Sequence, residues 1–172
     1  ISGAVADNVF NAINPTSSGY QNGGNWFGIL SAVYAISAVL WSLVLSKIPA
    51  GKNKLGYALS LFLGAIGFVS VFFIHSQYAL IGSFVLIGVS WAGMMAYPFI
   101  MVTNALPGDH MGTYLGLFNG SICLPQIVAS VASFAIFPAL GSHFPTMILV
   151  SGCLMLLGAL SVGFIKEAQH NI

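Results

Sequence analysis

The sequence predicts an all-α, polytopic membrane helical bundle, and three observations carry that prediction. Hydrophobic side chains make up 58% of the 172 residues and charged ones only 4%, with a mean hydropathy of +0.94, whereas a soluble domain carries about a quarter charged residues. The apolar residues gather into runs of roughly the 20 residues that cross a hydrocarbon core. The few charges stand between those runs or beyond them. Uniformly apolar runs of this length form helices rather than barrel strands, because lipid offers the backbone no hydrogen-bond partner outside the segment itself.

Five long spans follow in order, at residues 26–46, 55–74, 78–103, 113–137 and 146–165. Ahead of them, residues 1–12 are small and apolar but too short to cross, and residues 14–25 (NPTSSGYQNGGN) read as a polar external loop. Lysine marks the cytoplasmic side. Lys47, Lys52 and Lys54 form a basic loop between the first two spans, and Lys166 closes the fifth, two places that five alternating crossings put on one side. The lysine-free loops at 75–77 and 138–145 then fall outside, with the N-terminal loop. An external N-terminal loop ahead of an odd number of spans predicts that residues 1–12 are the outer end of a preceding helix. The start at Ile1, without a basic stretch leading into an apolar run, agrees with a segment of a longer protein.

Composition also excludes functions. Four Lys, no Arg, two Asp and one Glu cannot make the basic stripe that nucleic acid requires, nor a polybasic patch for a peripheral membrane protein. The sequence contains no nucleophile motif, phosphate loop or zinc motif, and no carboxylate within the five spans, so neither an enzyme, a catalytic residue, a cofactor nor a metal is expected. Cys123 and Cys153 fall inside apolar runs, where a thiol behaves as a small hydrophobe. His75, His110, His143 and His170 sit at loop positions and read as solvated residues.

Packing in lipid depends on small residues that let backbones approach. Gly56, Ser60, Gly64 and Gly67 make such a stripe in the second span, Gly112, Gly116 and Gly120 in the fourth, and Ser31, Ala35, Ala38 and Ser42 in the first. Polar residues inside spans are costly unless they face protein or water. Asn119, Gln126, Ser130 and Ser133 share one side of the fourth span, and Pro125 removes a backbone hydrogen bond beside Gln126, predicting a helix kink there. Such a stripe either lines an aqueous cavity, offering amides to sugar hydroxyls, or bonds neighbouring helices. Trp91 and Tyr97 in the third span carry an apolar face and one hydrogen-bonding group, suited to stacking on a sugar ring or to anchoring at the interface. Their separation of six keeps them from closely sharing a face. Tyr34 lies mid-span in the first helix, where lining a cavity and bonding a helix are equal alternatives.

Gly112-Thr-Tyr-Leu-Gly116-Leu-Phe-Asn119, followed by Leu124-Pro125-Gln126, resembles the eleventh helix of the sucrose and maltose transporter group of the major facilitator superfamily. Gly88-Val-Ser-Trp91-Ala-Gly93, continuing through Tyr97-Pro98 to Asn104-Ala-Leu-Pro107, is similar to the tenth helix and its cytoplasmic loop. Asn22-Gly-Gly-Asn25-Trp26-Phe-Gly28 resembles the start of the eighth, and the lysine loop is a weak counterpart of the basic loop after it. The resemblance implies the C-terminal six-helix half of a twelve-helix transporter, with residues 1–13 the outer end of helix seven, 14–25 an external loop, and 26–172 helices eight to twelve with a cytoplasmic tail. In such a half, helices seven and ten line the path, eight and eleven flank it, and nine and twelve face lipid. It further implies proton-coupled symport of an α-glucoside such as maltose or sucrose across the plasma membrane. The partners are then the lipid bilayer, the N-terminal half with the main titrating carboxylate, sugar and protons. Substrate binding is expected from Asn119, Gln126, Trp91, Tyr97 and Tyr34. A facilitative channel and a noncatalytic membrane subunit are the alternatives; the channel predicts polar stripes on several helices, the subunit has no use for Asn119, Pro125 and Gln126.

Overall fold

A computed structural model of the chain describes residues 2–49, 52–105 and 111–165. Asp109, His110, Lys166, Glu167 and His170 lie outside the described residues. The order is α1 (Ser2–Phe10), α2 (Ser18–Leu45), α3 (Asn53–Phe73), α4 (Leu80–Ala105), α5 (Met111–Ala139) and α6 (Phe144–Ser161), the last prolonged by a 3-10 turn at Val162–Phe164. Five of these helices are long and apolar enough to cross a membrane. They coincide with the five spans expected from the apolar runs, with one correction at the start. Most of the stretch expected as a loop at residues 14–25 is helical, because α2 begins at Ser18. Ser17 caps it, its hydroxyl accepting from the Tyr20 N–H at 3.2 Å. Gly23 lies against the Ala6 backbone of α1, an approach that a side chain would block. Tertiary contact here outweighs the poor helix propensity of Gly and Asn.

Five helices close a ring in which α1 packs on α2, α2 on α4, α4 on α3, α3 on α6, and α6 back on α1. The α3–α4 crossing is a ladder of small residues. Gly56 lies under the Tyr97 hydroxyl, Gly93 against Ser60, Gly64 against Ser90, and Gly67 against the Ser83 carbonyl and Ile87. This is the stripe expected in the second span, and it works as expected. The opposite face of α3, with Leu55, Leu59, Phe62, Ile66 and Phe73, is exposed and suits contact with lipid. Leu154, Leu157 and Leu160 do the same on α6.

Two expected packing faces are corrected. In α2 the buried side is Leu30, Ser37 and Leu45, with Tyr34, Ala38 and Trp41 packed beside them, whereas Ala35 and Ser42 point outward. Gly88 of α4 sets this rotation by seating Ser37 and the Tyr34 carbonyl against its bare Cα. In α5, Gly112, Gly116 and Gly120 face open space, no residue is buried, and contacts with the ring helices are sparse.

The two ends of the bundle are tied separately. At one end, Lys54 Nζ donates to the Gly163 carbonyl at 2.6 Å, bringing the lysine connection to the close of α6, on the same side as predicted. At the other, Trp26 Nε1 donates to the Gln77 carbonyl at 2.9 Å. Asn8 Nδ2 reaches the carbonyls of Val71, Phe72 and Ile74, at 2.8, 3.2 and 3.2 Å, and so caps the C-terminal end of α3.

Candidate functional site

The α2–α4 crossing places the first candidates. Because Gly88 admits α2 so closely, Tyr34 and Trp91, one turn further along α4, come together with ring centroids 6.3 Å apart and planes tilted by 57°. Trp91 remains 45% exposed and is followed on the same face, at intervals of four, by exposed Met95 and Phe99. The pair is thus a supported aromatic surface open on one side.

Tyr97 belongs elsewhere. It is 1% exposed, with its ring 5.9 Å from that of Tyr57 and its hydroxyl over Gly56. That hydroxyl has no hydrogen-bond partner, an arrangement that costs about 1–3 kcal/mol when the group is buried. The six-residue separation noted in the sequence therefore divides the two aromatics between an open face and the α3–α4 core. Trp41, close to the same core, donates from Nε1 to Ser60 Oγ at 3.1 Å.

α5 carries the amide candidates on its exposed surface. Ser130 Oγ donates to the Gln126 carbonyl at 2.8 Å and Ser133 Oγ to the Ser130 carbonyl at 2.6 Å, so both hydroxyls are used on their own helix. The Asn119 and Gln126 amides make no hydrogen bond within the described residues and keep their donors and acceptors for another partner. α5 runs on as helix through Pro125. No hydrogen bond or ring contact joins Asn119 or Gln126 to Tyr34 or Trp91 in this arrangement. The structure brings together one aromatic pair and one amide pair on separate surfaces.

The family model described as Major Facilitator Superfamily matches residues 4–171, nearly the whole chain. The chain belongs to the major facilitator superfamily. No curated protein and no solved structure matches it. Major facilitator proteins are integral membrane transporters, not enzymes, so the groups of interest here are those that can meet a solute or move with the bundle. Lys47 and Lys52 are exposed on the basic connection, while Lys54 is engaged with Gly163.

At the opposite end of this major facilitator bundle, polar residues join segments far apart in the chain. Asp7 Oδ2 is 3.9 Å from Nδ1 of His143, joining α1 to the start of α6, and His75 Nδ1 is 3.1 Å from the Asn8 carbonyl. His75 and His143 are exposed, as expected of loop positions, and each also contacts α1. Neither periodicity nor motif spacing announces them, because each pair joins segments far apart in sequence. Asn8 in particular resembles any polar residue at a helix end until α3 is placed beside it.

Proposed function

We propose that the chain is the C-terminal half of a secondary active sugar transporter, coupling entry of an α-glucoside such as maltose or sucrose to protons by alternating access. The observation that carries the reading is the coexistence of an open Tyr34–Trp91 surface with two uncommitted amides in lipid-depth helices. A sugar presents C–H faces to an aromatic ring and hydroxyls to groups that both donate and accept, as Asn and Gln do. Leaving Asn119 and Gln126 in lipid would be costly, and a water-filled path removes that cost.

In this reading α5 faces the N-terminal half, which supplies the rest of the cavity and the carboxylate that carries the proton, since no carboxylate occurs within the five spans. Two helical halves rocking about a midplane site then expose it to each side in turn. The lysine side of the bundle is cytoplasmic in the plasma membrane, as positive residues on short loops require.

Proteoliposomes holding the intact transporter, tested with labelled maltose and sucrose with and without an inward proton gradient, check this assignment. Gradient-driven uptake, lost in Asn119→Ala and Gln126→Ala proteins that fold normally, is the expected result. Uptake indifferent to the proton gradient would instead mark a facilitative path. No movement of either sugar under any gradient would remove the substrate assignment.

A further inference from the structure

The ring of helices has one thin seam. α1 meets α6 over the smallest of the five contacts that close the ring, whereas on its other side Gly23 brings α2 onto the α1 backbone at Ala6. Two residues of α1, one turn apart, face the start of α6. Gly3 lies against the Phe144 ring, which is itself packed on Phe137 with ring centroids 5.0 Å apart. Asp7 Oδ2 stands 3.9 Å from His143 Nδ1. Among the described residues no hydrogen bond and no other ion pair joins α1 to α6.

The polar contacts on α1 depend on protons. His143 attracts Asp7 as an ion only while its ring is an imidazolium, and histidine gains or loses that charge between about pH 5 and 8. His143 caps the N-terminus of α6 without a side-chain capping bond. A cation there opposes the helix dipole, and the Asp7 carboxylate offsets that opposition. One residue further along α1, the Asn8 carbonyl accepts from His75 Nδ1 at 3.1 Å. That nitrogen must carry a proton to donate, as the imidazolium always does and the neutral ring does in one of its two tautomers. Asn8 belongs to the last turn of α1, where the dipole favours a cation. Histidines from two elements thus converge on adjacent residues of one short helix. At this end α2 brings the phenol of Tyr20 and the α3–α4 connection that of Tyr78, and a phenol is neutral across that range. α5 brings no titratable group to the Phe137 contact, and the described lysines belong to the connection at the opposite end.

We propose that His75 and His143 form a proton-operated clasp on the last turn of α1. In acid, His143 holds Asp7 and His75 holds the Asn8 carbonyl, closing the seam between α1 and α6. As the rings lose their protons the ion pair is lost, the Asn8 bond weakens, and the contact of Gly3 with Phe144 is left to hold α1 on α6. The clasp is therefore tight at low pH and loosens as the pH rises through the imidazole range. It lies at the end opposite the lysine connection, so it responds to the solution on that side, whichever solute is carried.

Hydrogen exchange of the purified intact transporter, read by mass spectrometry at about pH 5.5 and about pH 8 and corrected for the intrinsic rate at each, tests the clasp. Amides of residues 6–12 are expected to be about sixfold better protected at the lower pH. About threefold comes from an exposed ion pair and about twofold from a cation at a helix C-terminus. Asp7→Asn and His143→Gln should each remove the threefold part, and the two together no more than either alone. His75→Gln should remove the twofold part. Residues 56–67 of α3, in the α3–α4 ladder, serve as the internal reference. Equal protection of residues 6–12 at the two pH values in the unaltered protein would overturn the proposal. So would a pH dependence that survives His75→Gln combined with His143→Gln, or losses from Asp7→Asn and His143→Gln that add.

Discussion

Gly93→Ala offers the sharpest test of how this bundle is held, because its effect is calculable and reversible by a second change. A Cβ built on Gly93 falls on Ser60 Cβ and lies 2.6 Å from Ser60 Oγ, so α3 and α4 must separate or Ser60 must leave its rotamer. Overpacking of this kind costs about 1–3 kcal/mol. Ser60→Gly alone withdraws the acceptor of Trp41 Nε1, worth about 0.6 kcal/mol for an average bond between membrane helices, and adds a helix-propensity loss of about 0.5 kcal/mol relative to Ser. If the two changes acted independently, the double variant would lose about 3 kcal/mol, taking about 2 for the clash. In the structure the new methyl occupies the space that Ser60 vacates, so the clash disappears and the loss should be about 1 kcal/mol. The coupling of about 2 kcal/mol is well above the few tenths found between independent sites. Reversible unfolding of the purified protein in mixed micelles with increasing SDS measures all four corners of the cycle. Strict additivity, or a neutral Gly93→Ala, would refute the α3–α4 ladder as described.

Other substitutions probe the remaining features. Asn8→Ala should cost about 1–2 kcal/mol in the same unfolding assay, because an amide with two N–H groups serves the carbonyl end of α3; Asn8→Asp should be worse, having only acceptors to offer those carbonyls, and an Asp variant as stable as the native protein would disprove the cap. Gly116→Leu, on a helix face with open space, should leave unfolding of this bundle within about 0.5 kcal/mol of the native value yet disrupt assembly with the proposed N-terminal half, read by co-purification of separately expressed halves. Trp91→Ala should raise the KM for sugar uptake by about tenfold, the equivalent of roughly 1.4 kcal/mol of stacking, and Trp91→Phe should recover part of it; an unchanged KM would remove Trp91 from the path.

What was legible in the sequence follows the kind of physics involved. Span positions depend on local hydropathy, and α3, α4, α5 and α6 begin and end within a few residues of their apolar runs. The α3 stripe was legible because a small residue at each turn has one evident use in lipid. The rotation of α2 was not, since Ser31, Ala35, Ala38 and Ser42 are as small as a packing face requires, and only Gly88 on another helix makes Ser37 and Ala38 the inner ones. The helical stretch at 18–25 was hidden for the same reason. Its glycines look like loop residues until Ala6 of α1 is set against Gly23. Tyr34 and Trp91 were singled out one at a time from their own spans, but that they form one surface is a property of the crossing.

α5 shows how the same local pattern takes a different role when its neighbours change. Its glycines have the four-residue spacing of a packing seam, and its amides the alignment of a polar stripe, but within the described chain neither surface is covered. A helix of this kind cannot rest against lipid on every side, because the uncommitted amides of Asn119 and Gln126 would then be unsatisfied in hydrocarbon. Burying the glycine face alone would leave that cost in place, and wetting the amide face alone would leave the close-packing face without a helix. Both are met if the glycines approach a second helical unit while the amides, on the adjoining side, border water between the units. Two packed units with a polar seam between them is also what alternating access requires, since a cavity that opens on each side in turn must lie where packed bodies can part. The helix with the fewest contacts in the bundle is thus the one whose sequence makes the strongest demand for a partner.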